Sequence, residues 1–378
     1  MVEQSFSLYI HIPFCSKKCP YCHFFVVSSH DIEKKEERFI QAILKEWDLK
    51  KHLIPKDRVL TLYFGGGTPT ELSAKSLSFL IETFKTAYPT IQEITVEGNP
   101  ESITLEKIKK IKEVGCNRMS IGVQSLCDEE LLTLKRQHHR NKAKEAIFTV
   151  KAAGIENISI DLMYDIPGQT KESFIRTLNE IHSLPITHLS LYNLVIEENT
   201  PFKRIEESLK KKMPKEEDSF FMLQNAIHSL KAAGFHRYEI SAFAKPGFES
   251  MHNKGYWESR PFIGLGPSAF SDDGKKRSQN VCHFQQYISS VEKGDDPVCF
   301  FETLEEEKRF IERFIIQLRL FKPICLNSFS QKQGQIPLTF TSKLKELQNL
   351  EYITFFEGLV EITPKGADFF EEIAISLL

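Results

Sequence analysis

The sequence is short of several things, and each shortage narrows what the chain can be. It has no excess of one charge: 49 Lys and Arg face 51 Asp and Glu, for a net charge of −2. No global field therefore draws it to nucleic acid. No apolar run approaches the roughly 20 residues of a membrane span, which leaves peripheral membrane contact open. The stretch MVEQSFSLYI lacks a basic segment followed by a long apolar run, so no secretory leader is expected. Internal repeats and low-complexity segments are missing. Disulfide spacing is missing too. Of eight cysteines, Cys116, Cys127, Cys282, Cys299 and Cys325 are scattered and read as small core hydrophobes, which suits a reducing cytoplasm.

The other three cysteines are not scattered. Cys15, Cys19 and Cys22 stand at i, i+4 and i+7 in CSKKCPYC, directly after the extended run Leu8 to Ile12. Three thiolates from one short loop can hold three corners of a [4Fe–4S] cube and leave the fourth iron open to a small molecule. Zinc is the competing reading, with His11 or His23 as a fourth ligand. Idle thiols are the third.

With 378 residues, 41% of them apolar, the chain has room for one large domain and a smaller one. Strand and helix alternate six times. Strands are expected over 5–12, 59–64, 94–96, 118–123, 158–163 and 188–195. Helices are expected over 36–49, 76–88, 105–114, 141–153, 170–183 and 214–233, with Gly115 and Gly234 as stops. This alternation argues a parallel α/β sheet, open or closed, with all strand C-termini on one rim. The notable polar residues collect there. The cysteine loop follows the first strand and GGGTPT (65–70) the second. Glu97 ends the third and Gln124 the fourth. Asp161 lies in the fifth, and Tyr192 and Asn193 in the sixth. Barrel enzymes build their sites on that rim.

On residues alone these groups keep their alternatives. Gly65-Gly66-Gly67-Thr68-Pro69 lacks the P-loop spacing; it is a tight turn or a close backbone approach to a ligand. Glu97 either receives an ammonium or a ribose hydroxyl or caps the next turn. Gln124, Arg136 and Asp161 read as a core amide, a solvated charge and a capping carboxylate.

The phrase YIHIPFCSKKCPYCHF resembles the signature of the radical S-adenosylmethionine (SAM) superfamily, CxxxCxxC. It is most similar to the branch that holds the oxygen-independent coproporphyrinogen III oxidases and the heme chaperones. The resemblance implies a partial (β/α)6 barrel over 1–240, a connecting region over 241–300, and a C-terminal winged-helix-like α+β domain of that branch over 301–378. It implies a cluster on Cys15, Cys19 and Cys22, with SAM met by Tyr9, Gly66, Gly67, Thr68, Glu97, Gln124, Arg136 and Asp161. The glycine turn would meet the amino group of SAM, and Tyr21 would lie over the adenine. A reduced cluster would then cleave SAM to methionine and a 5′-deoxyadenosyl radical.

Three features separate the two kinds of protein in the branch. The oxidase pattern has a further cysteine where this chain has Phe24. The oxidase also carries an N-terminal arm before the first strand, whereas Tyr9 already lies in that strand. His252-Asn253-Lys254-Gly255-Tyr256-Trp257 matches the chaperone pattern HNxxYW, which implies His252 as an axial heme ligand; without the resemblance it is a core or surface histidine. The expectation is a heme chaperone that binds a [4Fe–4S] cluster, SAM and heme and serves heme-accepting proteins. The alternatives are the oxidase and a zinc-stabilised binding protein. A homodimer stays open. Three positions depart from glycine in the family pattern: Lys135, Asp165 and Asn199. Asp and Asn tolerate positive φ; Lys135 strains the pattern most.

Overall fold

A computed structural model describes residues 5–378. Residues 1–4, on which the expectation of no leader partly rests, lie outside the described residues. Six parallel strands alternate with helices as the periodicity requires: β1 (Phe6–Ile12), α1 (Ile32–Lys50), β2 (Val59–Gly66), α2 (Ala74–Ala87), β3 (Glu93–Gly98), α3 (Leu105–Glu113), β4 (Arg118–Gln124), α4 (Arg140–Ala152), β5 (Asn157–Tyr164), α5 (Lys171–Ile181), β6 (His188–Asn193) and α6 (Glu216–Ala232). Side chains alternate across a strand, and here the two faces have opposite character. One face of each strand is aliphatic: Leu8, Ile10 and Ile12 on β1, Leu62 and Phe64 on β2, Ile158, Ile160 and Leu162 on β5. These pack with the inner stripes of the helices into one core. The other face is polar yet buried, with Ser7, Thr61, Thr95, Arg118, Ser159, His188 and Ser190 all at 4% exposure or less. The barrel thus has a greasy coat and a polar lumen.

The region expected to be a connection is part of the sheet. After the antiparallel strands β7 (His236–Glu239) and β8 (Ala242–Ala244) comes a short helix, α7 (Met251–Trp257), and then β9 (Phe262–Leu265), β10 (Phe270–Asp272), β11 (Lys276–Asn280) and β12 (Val298–Thr303). β9 pairs parallel with the outer side of β1, so a seventh parallel strand joins the six. The whole sheet has twelve strands in the order β12-β11-β10-β9-β1-β2-β3-β4-β5-β6-β8-β7. Most of these added strands have three to five residues, too few for a period of two to stand out. A buried carboxylate holds this side to the barrel. Glu46 of α1 accepts from Lys50 Nζ (2.6 Å), Asn280 Nδ2 (2.6 Å), Tyr287 Oη (2.7 Å) and the Gly266 N–H (2.7 Å).

The C-terminal domain has its own core. Four phenylalanines, Phe310, Phe314, Phe329 and Phe340, meet edge to face at 4.9–5.4 Å. Within it a helix, Phe340–Asn349, leads into a β-hairpin and a closing helical segment. A short strand at Ile324–Cys325 adds to the hairpin formed by Ile353–Phe356 and Leu359–Ile362. The last helix is broken at Phe369 into Pro364–Asp368 and Phe370–Leu377. Among the described residues no helix is long and apolar enough to cross a membrane.

Candidate functional site

At the C-terminal mouth of the barrel lies a cavity of about 480 Å³. Its wall is built from three cooperating segments. The cysteine loop leaves β1 and is pinned by a two-residue strand, Phe14–Cys15, pairing with Val27–Ser28. The glycine turn at the end of β2 zips onto that loop: Gly67 N–H donates to Ile12 O (2.8 Å) and Thr68 N–H to Phe14 O (2.7 Å). This contact, rather than a ligand alone, requires glycine. A Cβ on Gly67 would stand 2.6 Å from Phe14 O and 2.8 Å from Pro13 C, and one on Gly66, at φ 108°, would enter the His11 ring.

A polar chain then joins the loop to the next strands. The Arg136 guanidinium donates to Asn99 Oδ1 and Gly122 O, both at 2.7 Å, and lies 3.6 Å from Cys19 Sγ. Asn99 Nδ2 donates to Thr68 Oγ1 (2.9 Å), which donates to Cys15 Sγ (3.4 Å). Two of the three cysteines are thus tied to one rigid network. Burial pushes the Cys15 and Cys22 thiols up, so their deprotonation is coupled to metal binding.

Glu97 faces the cavity, with Oε1 accepting from Tyr63 Oη (2.6 Å) and Oε2 from Gly66 N–H (3.2 Å). Burial pushes its carboxyl up to about 7, against the lowering effect of those two hydrogen bonds. Asp161 is pushed up by burial as well, with Ser190, Arg118 and Ser120 opposing. A carboxyl and a guanidinium on one cavity, with glycine backbone between them that lets a ligand approach closely, form a surface suited to a zwitterionic amino-acid group.

Of the residues expected in the site, Cys15, Cys19, Cys22, Tyr21, Gly66, Gly67, Thr68, Glu97, Gln124, Arg136 and Asp161 all line this cavity. Tyr9 and His252 do not. Tyr9 lies deeper in the lumen, with Oη 3.1 Å from His11 Nδ1. His252 sits at the floor, 1% exposed. Its ring nitrogens meet Thr61 Oγ1 and Tyr256 Oη, both at 2.8 Å. Its ring stacks on Tyr63 at 4.7 Å, and Glu93 accepts from the Met251 and His252 N–H groups at 2.9 Å each. Heme ligation by His252 requires breaking one of these two ring hydrogen bonds. Neither nitrogen of His11 is open: Nε2 lies 3.1 Å from Phe25 O. Among the described residues no three His, Cys, Asp or Glu side chains are grouped around a single point.

Asn99 and Ser120 were missed by sequence reasoning, although both line the cavity. Ser120 could have been found from the alternation, which puts it on the face of Arg118 and Gly122. The three departures from glycine all have left-handed backbone: Lys135 at φ 53°, Asp165 at 64° and Asn199 at 60°. The turns survive the substitutions. Asp165 also gains partners, accepting from Asn193 Nδ2 (2.7 Å) and from Ser219 Oγ.

The radical SAM superfamily profile matches residues 9–181. The Bacillus subtilis protein named heme chaperone HemW is 33% identical over 372 residues, covering 95% of this chain and 96% of that one. The Escherichia coli protein of the same name is 35% identical over 312 residues, covering 78% and 81%. The solved structure of E. coli coproporphyrinogen III oxidase (HemN), described as a radical SAM enzyme, superposes with a TM-score of 0.84 at 24% identity, covering 99% of this chain and 90% of that one; at that identity it speaks for the fold. On the strength of its full-length relatives, the chain belongs to the HemW family of the radical SAM superfamily.

Proposed function

We propose that this protein is a heme chaperone that holds a [4Fe–4S] cluster and SAM at the barrel mouth and delivers heme to acceptor proteins. The observation that carries the cofactor half is the convergence of three cysteines, the glycine turn, Glu97, Gln124, Arg136 and Asp161 on one cavity. Cys15, Cys19 and Cys22 would hold the cluster. Gly66, Gly67, Thr68, Glu97, Gln124, Arg136 and Asp161 would hold SAM, with Tyr21 beside its adenine. When bound, the cluster supplies one-electron reducing chemistry.

The protein's own share is positioning. Glu97, fixed by Tyr63 and Gly66, accepts from the ammonium of a ligand. Arg136, through Asn99 and Thr68, keeps the cysteine loop in register with the glycine turn. The buried Leu194 and the exposed Val195 add apolar wall, which limits water at the mouth. The chaperone reading over the oxidase rests on Phe24, 52% exposed at the mouth where the oxidase pattern places a cysteine, and on the names of the full-length relatives. The test is an anaerobic heme titration of the cluster-reconstituted chain beside a coproporphyrinogen turnover assay. Saturable binding near one heme per chain without turnover is expected. Turnover would replace the chaperone with the oxidase.

A further inference from the structure

A cargo site must be reachable by the protein that takes the cargo. His252 is not reachable as it stands, since its ring is buried and both nitrogens are engaged. Another histidine at the mouth differs in each respect. His23, directly after Cys22, is exposed and lines the cavity. Among the described residues, its ring nitrogens make no hydrogen bond. Its ring is 4.5 Å from that of Phe24, tilted by 34°, and Lys18 Nζ steadies this turn by donating to Phe24 O (3.0 Å).

The surroundings suit a large flat ligand. Phe24, Tyr192 and Val195 are 52%, 45% and 58% exposed on the same cavity, a concentration of apolar surface that marks a binding site more often than chance exposure. Lys17, on the same wall, is exposed and makes no side-chain hydrogen bond or ion pair among the described residues. We propose that His23, with Phe24 beside it, is an axial ligand for an iron tetrapyrrole at the mouth of the cavity, with Lys17 meeting a carboxylate of its rim. This assignment rests on the heme chaperone reading and specifies where the cargo sits. Held by one exposed imidazole and one apolar wall, the cargo keeps its second axial face open to an acceptor.

The probe is hemin, added anaerobically to the full chain with its cluster reconstituted. Histidine carbethoxylation, read by mass spectrometry on the wild-type chain, needs no mutation. Hemin should protect His23 and leave the exposed His30 reactive. In parallel, His23→Gly should weaken hemin binding about tenfold or more, the equivalent of roughly 1.4 kcal/mol, and shift its Soret band. Added imidazole should restore the band, while iron and sulfide content stays at the wild-type level. Saturable hemin binding with His23 equally labelled in its presence and absence overturns the site and spares the chaperone reading, as does a His23→Gly titration that matches wild type. A wild-type chain that binds no hemin overturns both.

Discussion

At the floor of the barrel, His252 has both ring nitrogens engaged and is buried; at the mouth, His23 has neither engaged and lies open. Both ends are lined by the polar face of the same strands. At the floor, Thr61 and Tyr256 take both nitrogens of one imidazole, Tyr63 stacks on its ring and Glu93 holds its backbone N–H. At the mouth, Glu97, Asp161 and three thiols face a cavity. A polar residue in a lumen is thus not a site because it is polar. It becomes one where its hydrogen-bonding capacity is left for a ligand, because a group already satisfied gains nothing from binding.

The largest effect expected on this contrast comes from Cys19→Ala. It should abolish the cluster while leaving the floor and the fold intact. Iron and sulfide analysis together with circular dichroism checks it; a full complement of iron and sulfide would remove Cys19 from the ligand set. Next is His252→Ala. It leaves a cavity and the Tyr256 hydroxyl without its partner, while Thr61 Oγ1 keeps Ser7 Oγ at 2.9 Å, at a cost of about 2–4 kcal/mol in a urea melt. Iron and sulfide content should not change. A variant as stable as wild type would mean that His252 does not hold the floor together.

A smaller effect is expected at Glu97. Its folded carboxyl, held up at about 7, lies above the unfolded value of about 4.3, so the folded chain binds the proton more tightly. The resulting stability is complete below about pH 4 and is lost as pH rises through about 7. Glu97→Gln cannot ionise. Without ligand it should therefore melt higher than wild type at about pH 8 and converge with it near about pH 5, while binding SAM about tenfold more weakly at the higher pH. Calorimetry and SAM titration at both pH values read it; a melting difference independent of pH would count against a perturbed Glu97. The smallest change is Lys135→Gly. Relieving a side chain at φ 53° should stabilise the chain by about 0.5–1 kcal/mol, net of the entropy glycine adds to the unfolded state. No gain in a urea melt would show the turn to be unstrained.

Much of the mouth was legible because its residues sit on strand ends, where period and punctuation are strong. The run from Leu8 to Cys22, GGGTPT, and Glu97 at the end of its strand each announce themselves locally. The floor was not legible. His252 reaches Thr61 and Glu93 across 191 and 159 residues, and no local pattern reports such a pairing. The outer strands were hidden for a different reason. β9 to β11 have three to five residues, and β9 is a strand because β1 offers it an edge, not because FIGL has a period. The left-handed positions show a third case. Lys135 and Asp165 carry no glycine signal, yet the chain turns there as the family pattern requires.

The polar lumen has a consequence for how this protein answers temperature. Unfolding exposes hydroxyls, imidazoles and carboxyls from inside the sheet as well as aliphatics from its coat. Newly hydrated polar surface lowers the heat-capacity increment, by about 0.26 cal/K/mol for each Å², while apolar surface raises it by about 0.45. A barrel filled this way has a shallower stability curve than one of equal size filled with Val, Ile and Leu. Its stability falls off more slowly on either side of its optimum, including on the cold side.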